Sequence, residues 1–519
     1  MGRTPGSSRP DRRKPAAPAA PPGEPYVAVR ETHTSVVLLL GDRAYKVKKP
    51  VALPFLDLST REARVADCLH EVELNRRIAP DVYLGVDELR PLEGDTGDAG
   101  EPVVVMRRMP DSRRLGAMVQ DPGQADRARR CALDAARQVA AFHAALPGIE
   151  GYDLVGTMTQ LWDEGRAQTR VFEDGLLPAA ALDEAHALAR EYLGGREGML
   201  RVRERAGLVR DGHGDLLTED IFCLDDGARV LDCLEFDARL RVGDVLMDIA
   251  FLAMDLALHG APDLARLVVD RYRELTAEAH PASLEHHYVA YRAWVRAKVE
   301  CLRAGGGDPG AADRARHALD LCVRELRSGR VRLVLVGGLP GTGKSTLAQR
   351  IVEVDDREWV LLSSDEVRKE LAGVPATTSR AAGFGEGDYD RSHTDVVYAE
   401  LLRRAGAALS GGLCVVLDAS WTEGHRRRDA AAVAHEHGGV LSQVRCVAPE
   451  EVCLERLTAR AAGPHVSDAT PEVRRRLATM TDPWPDALEV DTGGSVDAAA
   501  AALLRGLGST PPPQGADEP

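Results

Sequence analysis

The chain has 519 residues, 28% of them charged and 44% hydrophobic, with a formal net charge of −15 at pH 7. That length exceeds one ordinary core and predicts two domains, while the acidic balance sets the summed field against polyanions and makes a nucleic-acid partner unexpected. No run approaches the roughly eighteen apolar residues of a membrane-spanning helix, and the nine cysteines stand singly without a C-x-x-C pair, a pattern that predicts buried thiols in a reducing cytoplasm.

In chain order, residues 1–25 are rich in Pro, Ala and Arg, lack an apolar signal core and are expected to form a disordered tail. Short β-type runs follow. SVVLLL, Gly41-Asp42 and RAYKVKK predict a hairpin with a primed turn, and Lys46 and Lys48 fall on one face of its second strand. The helical segment LHEVELNRRI carries Glu71, with Glu73 on a different face, and PVVVMRRMP at 102–110 predicts a further strand. Residues 125–325 read as mostly helical, interrupted by RDGHGDLLTEDIFCLDDGARVLDCLEF at 210–236. There HGDL is followed by Asp220, the strand IFCL, a turn at Asp225-Asp226-Gly227, and a second strand ending in Asp232 and Glu235. Carboxylates at both ends of such a hairpin can set a base and metal ligands around one phosphoryl group. Asp244, Asp248 and Asp255, in the apolar helix-like run that follows, are expected to make structural hydrogen bonds.

After Arg332 strands and helices alternate: RLVLVG, a helix, WVLLSS, a helix, LCVVLDAS, a helix, then VLSQVRCVA. This predicts a parallel α/β sheet. The polar segment Arg327–Arg330 marks the expected boundary, giving one domain over 26–328, a second over 331–508 and a tail over 509–519. Between RLVLVG and its helix lies GLPGTGKS, residues 338–345. Gly338, Gly341 and Gly343 let the backbone N–H groups of the loop, with Thr342 and the helix start at Thr346, turn toward phosphates; Lys344 reaches the β and γ oxygens and Ser345 holds Mg²⁺. Asp365 directly follows the second strand, with Arg368 one helical turn on, and Asp418 follows the next. Arg456 and Arg460 fall at i and i+4 on one helix face. Asp468, Thr470 and Pro471 form a helix start, and Trp484 reads as a packed loop anchor.

HGDLLTED is similar to the H-G-D-L-H-x-x-N loop of the aminoglycoside phosphotransferase-like family, whose members share the protein-kinase fold. Residues 26–325 resemble that family in the order lysine, glutamate, hinge strand, HGD and acidic hairpin. The resemblance implies an α+β bilobal domain in which Asp215 is the catalytic base, Lys46 or Lys48 binds the α and β phosphates, and Glu71 pairs with that lysine. It also implies Mg²⁺ ligands at Asp220, which replaces the family's Asn, and at Glu235 or Asp232. Leu217 stands where the family often has His, and His213 is expected to pack and hydrogen-bond the loop. Residues 331–508 resemble the small P-loop kinases of the gluconate-kinase, polynucleotide-kinase and zeta-toxin type. That resemblance implies contact between Asp365 and the acceptor hydroxyl, a substrate anchor at Arg368, Asp418 in the Mg²⁺ shell, and a lid formed by Arg456 and Arg460. The two together imply a tandem ATP- and Mg²⁺-dependent phosphotransferase acting on small-molecule hydroxyls. A chain in which the first domain binds nucleotide without catalysis is the alternative; a polynucleotide-end kinase is disfavoured by the acidic charge.

Overall fold

The computed structural model describes residues 19–53, 56–90, 100–173, 175–373, 391–460 and 470–507. They group into two compact units: one runs to Pro147 and resumes over Arg210–Ala277, the other holds Gly148–Val209 and the chain from Glu278 onward. This departs from the expected single boundary near residue 328. The reason lies in buried contacts that no local pattern announces, and they are described with the second unit below.

The first unit opens earlier than expected. Glu24, placed in the tail by composition, accepts from the buried Arg108 at 2.7 Å and from the Asp111 backbone N–H at 2.7 Å. Five antiparallel strands follow in the spatial order Val27–Glu31, Ser35–Leu40, Arg43–Lys48, Glu101–Arg107 and Tyr83–Leu89. Leu40 pairs with Arg43 across the two-residue turn, where Gly41 takes φ +58°, the left-handed conformation that a primed turn requires. The helix Arg61–Arg76 lies against this sheet, its start capped by the Thr60 hydroxyl accepting from Ala63 N–H.

Beyond the helix Ala125–Ala145 the chain leaves the unit and returns at residue 210 for the hairpin Ile221–Leu224 and Gly227–Val230. Asp134 on that helix accepts from Ala228 N–H at 2.8 Å, fixing the hairpin to it. Cys131 and Cys223 join the same two elements by a disulfide, so the expectation of nine thiols fails for this pair. The two lie 92 residues apart in sequence, a separation whose closure only the fold reveals; the other seven cysteines are free and buried. The helix Leu246–Leu258 is buried on nearly every side, as its almost unbroken apolar sequence requires.

In the second unit five parallel strands run in the order Trp359–Ser363, Cys414–Asp418, Arg332–Gly337, Val440–Val447 and Leu488–Asp491. The helices Leu154–Thr169, Ala179–Arg205, Ala282–Gly305 and Ala311–Ser328 belong to this unit. They enclose Trp162, Tyr192, His287, Tyr291 and Trp294, whose rings contact one another. The buried Arg196 donates to the carbonyls of His437 and Gly438, and Ser283 Oγ donates to the Gly412 carbonyl at 2.7 Å. A Cβ on Gly195 would strike the His437 carbonyl oxygen, so the helix Ala179–Arg205 approaches the turn after the helix Gly424–Glu436 at backbone distance. No described helix is long and apolar enough to cross a membrane.

Candidate active sites

In the second unit the strand Arg332–Gly337 ends at the glycine-rich loop, and the helix Lys344–Val354 begins at once. Gly338, Gly341 and Gly343 take φ of +138°, +84° and +83°. A Cβ on Gly338 would lie 2.7 Å from the Cys446 carbonyl oxygen, and one on Gly341 would lie 2.6 Å from that of Cys453. Both glycines are therefore demanded by space as well as by conformation. Thr342 turns inward, its hydroxyl donating to the Leu339 carbonyl at 2.8 Å, whereas Ser345 and Thr346 are exposed at the open end of the helix.

Register brings the carboxylates to the same edge. Asp418 pairs with Val336 on one side and Ser363 on the other, so Asp365, in the first turn of Ser364–Leu371, stands at the carboxyl ends of the strands, where open α/β sheets bind ligands. Burial pushes the Asp418 carboxyl up, opposed by Lys344 and by a hydrogen bond with Ser345; Asp365 and Glu366 push it further. Arg368 lies 3.4 Å from the Thr394 hydroxyl. Arg456 donates to the Thr492 carbonyl at 2.8 Å through Nη2, while its buried Nη1 has no hydrogen-bond partner and lies 3.4 Å from where a Cβ on Gly343 would be. A loop with inward glycines, a helix N-terminus and an unpartnered buried guanidinium N–H fits a polyphosphate. The Arg460 side chain and Asp468 lie outside the described residues, whereas Thr470 caps the helix Pro471–Thr479 as expected. Trp484 is buried and donates to Gln443 at 2.7 Å, a packed anchor. Sequence reasoning passed over Arg474, which donates to the Pro340 carbonyl of the phosphate loop at 2.6 Å. Nothing in its R-R-R run singles it out.

The first unit's site is assembled from distant segments. Lys46 Nζ lies 2.8 Å from Glu71 Oε1 and 3.2 Å from Asp232 Oδ1. Glu71 is fully buried and Glu73 is exposed, which decides between the two glutamates. Lys48 also meets Glu71, but its other neighbours are Asp67 and Glu235. Asp232 and Glu235, the two alternatives for the metal, thus divide: Asp232 faces Lys46, and Glu235 is an ion-pair partner of Lys48. The strand stops at Val230, and Asp232 takes φ +64°, a left-handed kink that Asp tolerates better than most residues and that interrupts the alternation by which an odd spacing would set the two carboxylates on opposite faces. Lys46 holds the Asp232 carboxyl below its ordinary range.

Asp220 stands at the same open end of the hairpin, where Ile221 pairs with Val230 and the Leu231 N–H donates to the Asp220 carbonyl at 3.0 Å. Burial, then the neighbouring Asp232 and Asp215, push its carboxyl well above the ordinary range. His213 is buried, with Nε2 3.0 Å from the Leu231 carbonyl oxygen. Asp248 accepts from the His213 and Gly214 backbone N–H groups at 2.6 and 2.9 Å, and Asp255 accepts from Thr218. Both are the structural hydrogen bonds expected of them, and they fix the loop that carries Asp215. No sequence pattern announces Asn75, which accepts from Cys233 N–H at 2.8 Å, or the Tyr83 hydroxyl, 3.2 Å from Asp232 N.

Residues 333–483 match the family described as "AAA domain". Among solved structures, a GDP and kanamycin complex of APH(2")-IIia is 16% identical, covers 59% of this chain and 95% of its own, and has a TM-score of 0.37. The Mycobacterium tuberculosis APS kinase CysC in complex with AMPPNP and APS is 19% identical, covers 35% of this chain and 99% of its own, and has a TM-score of 0.27. Full-length likeness lies elsewhere: the uncharacterized proteins Rv2004c of Mycobacterium tuberculosis and Mb2027c of Mycobacterium bovis each align over 476 residues at 40% identity. Since that alignment spans 91% of this chain and 93% of each relative, and so takes in both units with both sites, the chain belongs to the family of these mycobacterial proteins.

Proposed function

We propose that the chain is a tandem ATP-dependent phosphotransferase, each unit moving the γ-phosphoryl group of Mg·ATP to a hydroxyl of a small polar acceptor. The observation that carries the reading is the edge of the parallel sheet, where the glycine loop, Lys344, Ser345, Asp418 and Asp365 converge. In that unit the loop N–H groups and Lys344 bind the phosphates, and Arg456 turns its unpartnered Nη1 to them. Arg368 orients the acceptor. The acceptor oxygen attacks the γ-phosphorus, its bond forms as the bridging bond to ADP breaks, and the hydroxyl proton passes to Asp365. In the first unit Lys46, oriented by Glu71, binds the phosphates, and Asp215 takes the acceptor proton. Mg²⁺, when bound, would neutralise charge on the phosphates; Ser345 and Asp418 would hold it in one unit, Asp220 and Asp232 in the other.

The test uses the full chain, labelled ATP, Mg²⁺ and a panel of sugars, nucleosides and aminoglycosides. Asp215→Asn and Asp365→Asn should each remove transfer to one class of acceptor, and the double variant should remove all transfer. A double variant as active as wild type sinks the proposal.

The crowding of Asp215, Asp220 and Asp232 favours a second reading, in which the first unit binds nucleotide without catalysis and gates the other. ATP titrations in a Lys344→Ala background, with and without Mg²⁺, separate the two. Catalysis requires Asp220→Ala to weaken Mg²⁺-dependent binding; the gating reading expects Asp220→Asn to tighten binding without metal.

A further inference from the structure

Glu71 serves two lysines. Its Oε1 lies 2.8 Å from Lys46 Nζ and its Oε2 lies 2.6 Å from Lys48 Nζ. Lys48 Nζ lies a further 2.9 Å from Asp67 Oδ2 and 2.9 Å from Glu235 Oε1. One oxygen from each of Asp67, Glu71 and Glu235 falls within 4.8 Å of the others, a spacing suited to a cation, and the cation present is the ammonium of Lys48. The two lysines differ in outlook. Lys46 faces Asp232, whose side chain is 51% exposed, whereas the Lys48 side chain is 2% exposed and turns inward. Burial opposes the charge on Lys48, as does Lys46, yet the three carboxylates outweigh both and hold it protonated.

We propose that Lys48 is a positioning residue, a tethered internal cation that fixes both oxygens of Glu71 so that Lys46 is delivered to Asp232 and the nucleotide phosphates. The inference rests on the kinase reading of the first unit. Without Lys48, three crowded carboxylates would face one remaining ammonium. Glu235 and the released Glu71 oxygen would then draw Lys46 inward, away from Asp232, because an unpaired buried carboxylate is costlier than a displaced lysine. Where a divalent ion is supplied, the emptied cage should take it in place of the ammonium and release Lys46 again, since hard carboxylate oxygens at this spacing suit one. Glu235 therefore stabilises the lysine pair and does not touch the reacting phosphates.

The experiment uses the full chain in the Lys344→Ala background, so that nucleotide binding reports the first unit, and counts bound Mn²⁺ from the loss of free-ion signal in electron paramagnetic resonance. Lys48→Ala should weaken Mg·ATP binding on the order of tenfold or more and take up one more Mn²⁺ than its background, with Mn²⁺ restoring nucleotide affinity. Unchanged Mg·ATP affinity, or lost affinity without extra Mn²⁺ uptake and rescue, overturns the proposal. Glu235→Gln keeps the shape of the cage and leaves Lys48 two carboxylates, so Mg·ATP affinity should stay within about twofold. A tenfold loss there would make Glu235 a ligand in its own right and overturn the proposal even if Lys48→Ala does not fold. Lys46→Ala separates the failures: if it leaves Mg·ATP binding intact, the kinase reading of this unit falls, whatever Lys48→Ala does to Mn²⁺ uptake.

Discussion

The two candidate sites are built in different ways. The cradle of the second unit is made by eight consecutive residues, Gly338–Ser345, and its donors are backbone N–H groups fixed by three left-handed glycines. The site of the first unit is made of side-chain charges drawn from a strand, a helix, a loop and a hairpin, with Lys46 and Asp232 meeting across 186 residues. A local backbone site tolerates no added atom; a dispersed charged site depends on a balance of ions. They should therefore fail differently when mutated.

The largest effect is expected at Asp215. Removing a general base costs about 10²- to 10⁴-fold, so Asp215→Asn should abolish the first unit's transfer to its acceptor while Mg·ATP affinity changes little. Equal losses in affinity and transfer, read from binding titration against single-turnover rates, would move Asp215 from base to nucleotide ligand. Lys344→Ala should cost the second unit about 10²-fold or more in transfer, the usual effect of a preorganised electrostatic group. If transfer survived at that position while Gly341→Ala abolished it, the backbone alone would account for the cradle and the comparison would sharpen.

Legibility in the sequence follows the same division. The strand before the phosphate loop spans Arg332–Gly337 and the hairpin strand Ile221–Leu224, both as their apolar runs predicted, because each is a short buried run bounded by turn residues. Asp365 and Asp418 stand at one edge of the sheet because each directly follows or ends a parallel strand, as their places after apolar runs predicted. What escaped was set by three-dimensional closure. The positive φ at Asp232 cannot be read from V-L-D-C, so Asp232 and Glu235 stayed alternatives. Nor could spacing show that Cys131 reaches Cys223, or that Arg196 finds the carbonyls of His437 and Gly438 across more than 240 residues.

That last contact yields a stability prediction. Gly195→Ala puts a methyl group against the His437 carbonyl, and overpacking of this kind costs about 1–3 kcal/mol. Thermal unfolding should show a lowered transition whose midpoint recovers on saturation with Mg·ATP, because the ligand binds only the folded second unit. An unshifted midpoint would mean that the helices and the turn at Gly438 separate freely, and the division of the chain into these units would have to be redrawn.

The smallest effect concerns His287, which stacks on Tyr192 with ring centroids 4.6 Å apart and whose two ring nitrogens are buried without hydrogen-bond partners. Burial, with a further contribution from Arg196, depresses it from 6.5 to about 3. The native ring therefore stays neutral where the unfolded chain takes up a proton. Stability should be flat in this group above about pH 6.5 and fall as pH drops from there toward 3, by at most about 1.4 kcal/mol per pH unit. Glu278, held down at about 2 by His280 and Arg203 against its own burial, adds a loss of the same sign only below the unfolded carboxylate range. His280 is raised by Glu278 and Glu285, so its stabilisation is complete below the unfolded histidine value and is lost only at higher pH. Between about pH 6 and pH 5 the second unit's slope should thus report His287. His287→Phe keeps an aromatic ring on Tyr192 and carries no proton, so its unfolding midpoint should decline less across that interval than that of wild type. Parallel declines would show that the His287 ring gains its proton in the folded protein as readily as in the unfolded one, which an unpartnered imidazole buried among Tyr192, Trp162 and Tyr288 is not expected to do.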